Sequence, residues 1–221
     1  MKMNVKKLLS TGIIFIAIFV FWTMLIQTVD VQQVGQNGTN VGFATLNCWF
    51  HKLTNVNMTI YHVTDWLGLV PILSCIIFGG VGFVQLIKRR SLFKVDSDII
   101  ILGMYYIIVI ISYLVFETIP INYRPILIDG RMETSYPSST TLLVLSVMPT
   151  VSFQVNRRIK NTFIKNSINA SVVLFMLLMV IGRTIAGVHW LTDIIGSIIL
   201  SAGLYLIYQS IVLLIDKKQN N

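Results

Sequence analysis

Residues 99–116 read Ile99-Ile-Ile-Leu-Gly-Met-Tyr-Tyr-Ile-Ile-Val-Ile-Ile-Ser-Tyr-Leu-Val-Phe116, without a charged side chain or a proline. A helix crosses the hydrocarbon core of a bilayer, about 30 Å thick, with roughly 20 predominantly apolar residues. This stretch therefore reads as a membrane span, and five more blocks of the same kind surround it, at 8–28, 66–87, 138–155, 167–184 and 190–215. The block at 138–155 is the least apolar, because it holds several hydroxyl residues and Pro149. The block at 66–87 carries Gly79, Gly80 and Gly82, small residues that let helices approach closely. The expected fold is all-α: a polytopic membrane bundle of about six transmembrane helices, with residues 1–221 forming one domain. The composition agrees, since the chain is 55% hydrophobic and 12% charged, whereas soluble domains carry about 25% charged residues. The longest connection, 29–65, is polar without a clear period and is too short for a soluble domain. No internal repeat or low-complexity tract is present.

The net charge of +8 would suit a nucleic-acid partner if it were gathered on one soluble face. Its distribution says otherwise. Thirteen of the 17 Lys and Arg fall in four places: Lys2, Lys6 and Lys7; Lys88, Arg89, Arg90 and Lys94; Arg157, Arg158, Lys160 and Lys165; Lys217 and Lys218. With six spans all four places share one side of the membrane. Lys52, Arg124, Arg131 and Arg183 fall on the other. This is the positive-inside asymmetry, which puts both termini in the cytoplasm. The basic excess then reports orientation and contact with anionic lipid rather than nucleic-acid binding. The lysines before the first apolar run imitate a secretion signal, but the run exceeds the 7–15 residues typical of a cleaved one and no small-residue cleavage site follows. An uncleaved first helix is expected. Cys48 and Cys75 are too far apart for a metal knuckle or an expected disulfide.

This topology leaves three connections outside the cytoplasm: 29–65, 117–137 and 185–189 with its flanks. In Gly182-Arg183-Thr-Ile-Ala-Gly-Val-His189-Trp-Leu-Thr-Asp193, the spacing of four would stack His189 and Asp193 on one helix face. A carboxylate behind an imidazole fixes its tautomer and steadies its cationic form. The far nitrogen is then free as a nucleophile or base. Arg183, beyond a short turn holding Gly187, carries a planar fork suited to phosphate or carboxylate. A plainer reading is a helix start at the membrane interface, with Trp190 as a belt aromatic, Asp193 favoured by the helix N-terminus and Arg183 snorkelling. Upstream, Pro137-Ser138-Ser139-Thr140-Thr141 precedes an apolar helical run. Ser138 is a candidate N-cap, and free N–H groups at a helix start make an anion site. Arg124-Pro125 adds a second guanidinium in the same layer. Two arginines, a helix N-terminus and a carboxylate-backed histidine together describe a phosphate site.

The set resembles the type 2 phosphatidic acid phosphatase and vanadium haloperoxidase superfamily, whose motifs are Lys-x6-Arg-Pro, Pro-Ser-Gly-His and Ser-Arg-x5-His-x3-Asp in that order. The direct match spans 117–193, and the six-helix layout extends it to the whole chain. Arg183, His189 and Asp193 fit the third motif, with Gly182 in place of its serine. Arg124-Pro125 fits the end of the first motif and Pro137-Ser138 the start of the second. The resemblance implies a membrane lipid phosphatase acting on a lipid phosphate or diphosphate; because the Thr140 hydroxyl cannot serve as an acid at about pH 7, a diphosphate such as a polyprenyl diphosphate, whose leaving group needs no proton, is the expected substrate. It implies that His189 attacks phosphorus, that Asp193 orients it, and that Arg124, Arg183, Ser138, Ser139, Thr140 and nearby amides hold the phosphoryl group. No metal and no other cofactor is implied.

Two departures bear on catalysis. Glu117 stands where the family has lysine, and a carboxylate about 4 Å from phosphate costs on the order of 4 kcal/mol at an effective dielectric near about 20. Glu117 must point away, pair with Arg131 or Lys52, or hold a proton. Ser139 and Thr140 replace the Gly-His of the second motif. The missing histidine is the family's general acid, a group worth about 10²–10⁴-fold in rate. His62 and Asp65 echo the third motif at a spacing of three. They read as the capped start of the second span, with His62 or His51 as an alternative proton donor. A phosphatase-like protein that binds lipid phosphate without turnover is the competing function. Transport is disfavoured, because no charged residue sits in the middle of a span.

Overall fold

The computed structural model describes residues 4–219, so Lys2 lies outside the described residues. Eight α-helices run in chain order: α1 Val5–Thr28, α2 Ala44–Thr54, α3 Met58–Leu67, α4 Leu69–Arg89, α5 Ser97–Thr118, α6 Ser139–Arg158, α7 Thr162–Ile185 and α8 Leu191–Gln219. Five segments are long and apolar enough to cross a membrane: α1, α3 with α4, α5, α7 and α8. The sixth, α6, has 20 residues but falls short in apolarity. Its position explains why. Helices α4, α5, α7 and α8 all pack against it, and its Thr141, Ser146, Thr150 and Gln154 are buried among them. The Tyr105 hydroxyl of α5 donates to the Ser146 carbonyl at 3.0 Å, beside Pro149. The Tyr106 hydroxyl lies 2.8 Å from Thr150 Oγ1, and Gln154 Nε2 donates to the Tyr208 hydroxyl of α8 at 3.1 Å. A helix shielded from lipid can carry polar side chains where its neighbours partner them, as they do for Thr150 and Gln154, while Ser146 Oγ has no partner among the described residues. The lipid-facing helices do the reverse: Ile107, Ile110 and Ile111 of α5 and Leu174, Leu177 and Ile181 of α7 are exposed.

Two apolar clusters hold the centre. One joins Leu102, Tyr105, Tyr106 and Val109 of α5 to Val147 of α6 and Tyr208 and Val212 of α8. The other joins Phe19 and Ile26 of α1 to Leu142 of α6, Leu200 of α8 and the loop residue Tyr136. The 29–65 connection is more ordered than its sequence suggests. It folds α2 and α3. The buried Asn47 of α2 donates to Thr192 Oγ1 at 3.0 Å and accepts from Thr192 N at 3.3 Å, pinning α2 to the start of α8. In α3, Asn57 caps the helix by accepting from Ile60 N, and Tyr61 is buried.

The 119–138 connection forms a hairpin-like arm, with bridges Tyr123↔Thr134 and Ile128↔Arg131 and its turn at Asp129-Gly130. It lies at the end of the bundle where α5 and α7 finish and α6 and α8 begin. At the opposite end an ion network ties four elements together. Asp98 of α5 meets Arg157 Nε at 3.3 Å and Arg158 Nη2 at 2.8 Å; Asp216 of α8 grips Arg157 at 2.6 and 3.0 Å; Asp96 joins Arg89 of α4 at 2.7 Å. The basic clusters near the ends of α4, α6 and α8 are thus gathered at one end, as the alternation of spans requires. Asp98 is 8% exposed while its arginines are about one-third exposed. Asp98→Ala should therefore cost about 2 kcal/mol, below the roughly 3–5 kcal/mol of a fully buried pair. The measurement is the denaturation midpoint in detergent, which should fall; an unchanged midpoint would show that the network contributes nothing.

Candidate active site

His189 lies in the short turn between α7 and α8 and is 4% exposed. The chain reaches it through Gly187 at φ +69°, where a side chain would meet the Asn55 carbonyl oxygen at 1.9 Å. The amide of Asn57 donates to the Ala186 carbonyl at 3.0 Å, strapping the α2–α3 connection over the same turn. Only glycine satisfies both the backbone angle and the contact.

Both imidazole nitrogens have partners, and the partners define the tautomer. Nδ1 lies 3.1 Å from the Ser135 carbonyl oxygen and must donate to it. Nε2 lies 3.1 Å from Arg183 Nη2 and must accept, since a guanidinium only donates. The ring is therefore neutral with its lone pair on Nε2, the form a nucleophile needs. Burial, followed by the positive charges of Arg183 and Arg124, pushes the His189 pKa well below its ordinary value.

Asp193 does not reach His189 in the way that a spacing of four suggests. Helix α8 begins at Leu191, so His189 precedes it and the two do not share a helix face. The closest approach is 3.8 Å, from Nδ1 to Oδ2. Ser135 stands between them: its hydroxyl donates to Asp193 Oδ2 and lies 3.1 Å from His189 Nδ1. Asp193 also accepts from the Trp190 amide at 2.9 Å and from Asn122 Nδ2 at 3.4 Å. It is thus a first-turn carboxylate of α8 and a support for the histidine at once. Trp190 is no belt aromatic. It is 3% exposed, and its indole N–H donates to the Tyr123 carbonyl at 2.8 Å.

Arg183 is fully buried rather than snorkelling. Its Nη1 lies 3.5 Å from Thr64 Oγ1 and 3.7 Å from Asp65 Oδ1. The Tyr61 ring of α3 sits under both site arginines, with guanidinium carbons 5.0 Å (Arg183) and 5.7 Å (Arg124) from its centroid. A shared π face attracts two cations that repel each other. Gly182, where the family motif has serine, leaves room for Thr64; a side chain there would meet the Thr64 methyl at 2.6 Å. Arg124 comes from the arm, where Nη2 pairs with Glu133 Oε2 at 3.1 Å. Arg124 Nη1 and Arg183 Nε are buried hydrogen-bond donors with no partner among the described residues.

A polar cavity of about 220 Å³ is lined by His189, Arg124, Ser139, Glu117 and Glu133. Ser138 occupies the N-cap position of α6, but its hydroxyl donates to Thr141 Oγ1 at 3.1 Å, and no side chain caps the helix start. Thr140 lines a neighbouring cavity of about 590 Å³, walled by apolar residues of α4, α5 and α6 such as Leu69, Ile72, Val109 and Val147. Ser139, Tyr113 and Leu142 line both cavities, so polar chamber and apolar groove adjoin. Of the sequence candidates, Arg124, Ser139, His189, Arg183 and Asp193 converge; Ser138 supports them from behind, and Thr140 faces the groove. Glu117 lines the polar cavity and accepts from the Thr134 hydroxyl at 2.7 Å. Neither His51 nor His62 lines it. His51 rests against Trp190, with ring centroids 5.7 Å apart. Ser135, Asn122, Glu133, Tyr61 and Thr64 complete the site and belong to no motif.

The sequence matches the family model described as PAP2 superfamily over residues 10–215. The fold is similar to the crystal structure of the first transmembrane PAP2 type phosphatidylglycerolphosphate phosphatase from Bacillus subtilis. The TM-score is 0.63 with 16% identity, covering 94% of this chain and 96% of that one. No curated protein matches the sequence.

The lowered His189 pKa has a measurable sign. The folded site refuses a proton that the unfolded chain accepts, so stability falls as pH drops below the free imidazole value of about 6.5. The chain has three histidines, so the double variant His51→Gln/His62→Gln isolates His189 for nitrogen-15 NMR. Its imidazole should stay neutral at about pH 6, where a free one is mostly charged. An imidazolium signal there would contradict the assigned hydrogen bonds.

Proposed function

From the premise that the chain belongs to the PAP2 superfamily, its model matching residues 10–215 of 221, we propose that it is a membrane lipid phosphatase working through a phosphohistidine on His189. One observation carries the reading: His189 lines a cavity with Arg124, its Nε2 accepts from Arg183 Nη2 at 3.1 Å, and its Nδ1–H is tied to a backbone carbonyl. An apolar groove beside a polar chamber fits an amphiphile whose chain lies among the helices.

In this mechanism Arg183 Nη2 lets go of Nε2 to take a phosphoryl oxygen, and Nε2 then forms a bond to phosphorus as the bond to the leaving oxygen breaks, that oxygen departing with the electron pair. The imidazole becomes cationic. The Ser135 carbonyl, with Asp193 behind the Ser135 hydroxyl, stabilises it. Arg124 Nη1, Arg183 and the free amides at the start of α6 take the phosphoryl oxygens. Water then attacks phosphorus, the N–P bond breaks, the electron pair returns to Nε2, and the water proton leaves with phosphate. No resident metal enters either step.

The leaving group decides the substrate. Among the described residues His189 is the only imidazole lining the polar cavity. A leaving alkoxide needs a proton, since its conjugate acid resembles water with a pKa near about 15.7. A lipid diphosphate expels a phosphate monoester, whose second pKa is about 6, and needs none. We therefore favour a lipid diphosphate such as a polyprenyl diphosphate over phosphatidic acid. The positive-inside pattern supports a site on the extracytoplasmic face. A second reading, a phosphatase-like protein that binds lipid phosphate without turnover, draws on Glu117 and Glu133 facing the cavity.

Purified protein should release phosphate from polyprenyl diphosphate faster than from phosphatidic acid, and His189→Ala should fall to the uncatalysed background. Full activity in that variant would sink the mechanism; tight binding with no release by the wild type would favour the second reading. For orientation, in a Cys48→Ser background, Arg131→Cys should react with an impermeant thiol reagent on intact cells and Lys160→Cys should not. The reverse pattern would place the site in the cytoplasm.

A further inference from the structure

The half of the bundle opposite His189 carries a second pair of adjoining cavities. An apolar groove of about 600 Å³ runs between α4 and α5, lined by Gly79, Gly82 and Leu86 on one side and Ile99, Leu102 and Gly103 on the other. A side chain at Gly79 or Gly103 would meet nothing within 4 Å, so a space remains between the two helices. Along the whole of α4 only Pro71 is fully buried. The groove begins at Cys75 and Tyr106, which also line the groove beside the active site. At its other end it shares Val95 with a polar pocket of about 560 Å³. From Cys75 to Leu86 the helix advances eleven residues, about 16 Å at about 1.5 Å per residue. Half of the roughly 30 Å hydrocarbon core is about 15 Å, so the groove is one leaflet deep.

The polar pocket decides which lipid the groove takes. Arg89 is paired with Asp96, Arg158 with Asp96 and Asp98, and Arg157 with Asp98 and Asp216. Three guanidinium groups thus balance three carboxylates. Lys94 is left over: it lines the pocket and has no ion pair among the described residues. Lys88 and Arg90, on either side of Arg89, are exposed and add to the same sign. Leu92 and Phe93, next to Lys94, are 59% and 98% exposed, an apolar tip suited to the membrane interface. An uncompensated ammonium at the mouth of a groove one leaflet deep complements a molecule with an anionic head and a hydrocarbon chain.

We propose that this pocket and groove bind one anionic phospholipid from the leaflet at the basic end of the bundle. Its phosphate rests on Lys94 and one chain lies between α4 and α5. Basic pockets between spanning helices take acidic head groups in this way. The chain covers a flank of α4 that the protein itself leaves open. None of the residues named for this site lines the polar cavity around His189, so the proposal stands apart from the phosphatase reading. The chain ends against Cys75 and Tyr106, where it forms the inner boundary of the groove beside the active site.

The full-length protein in detergent would be titrated with phosphatidylglycerol or phosphatidylcholine of identical chains, and bound lipid followed by native mass spectrometry. The wild type should bind phosphatidylglycerol about fivefold more tightly, the effect of one cation near the membrane surface. Lys94→Gln should erase that preference. Lys160→Gln, at an exposed lysine of the same end that lines neither cavity, should keep it. Gly79→Leu/Gly103→Leu should fill the groove and lose the retained lipid of either kind, with helical content unchanged by circular dichroism. The lysine variants decide the proposal even where the leucine variant fails to fold. Equal binding of the two lipids by the wild type overturns it. Equal loss of preference in the two lysine variants also overturns it, since that marks diffuse attraction to basic charge. Lipid retained in a folded leucine variant does the same, as does a wild-type dimer that the leucine variant dissociates, which would seat a second copy in the groove.

Discussion

A single backbone acceptor governs the site: the Ser135 carbonyl, 3.1 Å from His189 Nδ1. By fixing the proton on Nδ1 it leaves the lone pair on Nε2, and no side-chain substitution can remove the acceptor. The carbonyl is in place only because the arm is. The Ser135 amide donates to the Asn122 carbonyl at 2.9 Å, and the Asn122 side chain reaches Asp193 at 3.4 Å, so arm, helix start and histidine form one closed circuit. The other side of α8 is held by Thr192, whose carbonyl accepts from the Trp22 indole at 3.2 Å and whose amide donates to Asn47. A ring fixed from so many directions needs little reorganisation when charge develops on it, the condition under which electrostatic stabilisation is most effective.

The same low dielectric makes unpaired charge costly. The two site arginines are tolerated because Tyr61 lies beneath both and because each keeps a carboxylate within reach. Each retains one donor with no partner among the described residues. That leaves the site electrostatically assembled but incompletely satisfied, which suits a pocket that must exchange its occupant.

The spans were readable in the sequence because a bilayer imposes one severe demand, a long apolar run. The third motif was readable because Arg183, His189 and Asp193 are bound by chain spacing. The rest of the site follows no such rule. Ser135 contributes its main chain as well as its hydroxyl, and a carbonyl leaves no trace in residue identity. Asn122 and Glu133 act through pairing across the arm, and Tyr61 comes from a connection with no legible period. Asp193 shows why the plain and functional readings of a residue need not compete: a carboxylate at a helix start can also support a histidine one turn earlier. Trp190 shows the opposite, since an aromatic expected in the lipid interface is held inside by a carbonyl of the arm.

The polarity of α6 has a consequence for how the chain enters the membrane during synthesis. A segment carrying Thr141, Ser146, Thr150 and Gln154 has little drive to leave an insertion channel for lipid by itself. Its Thr150 hydroxyl is partnered by Tyr106 of α5 and its Gln154 amide by Tyr208 of α8, which is made after it. Until α8 arrives, Gln154 lacks its Tyr208 partner, and α6 relies on its packing against α4, α5 and α7. The helix that lines both cavities is thus the one whose place in the bilayer is secured by its neighbours, so the site is complete only once α8 has joined the bundle.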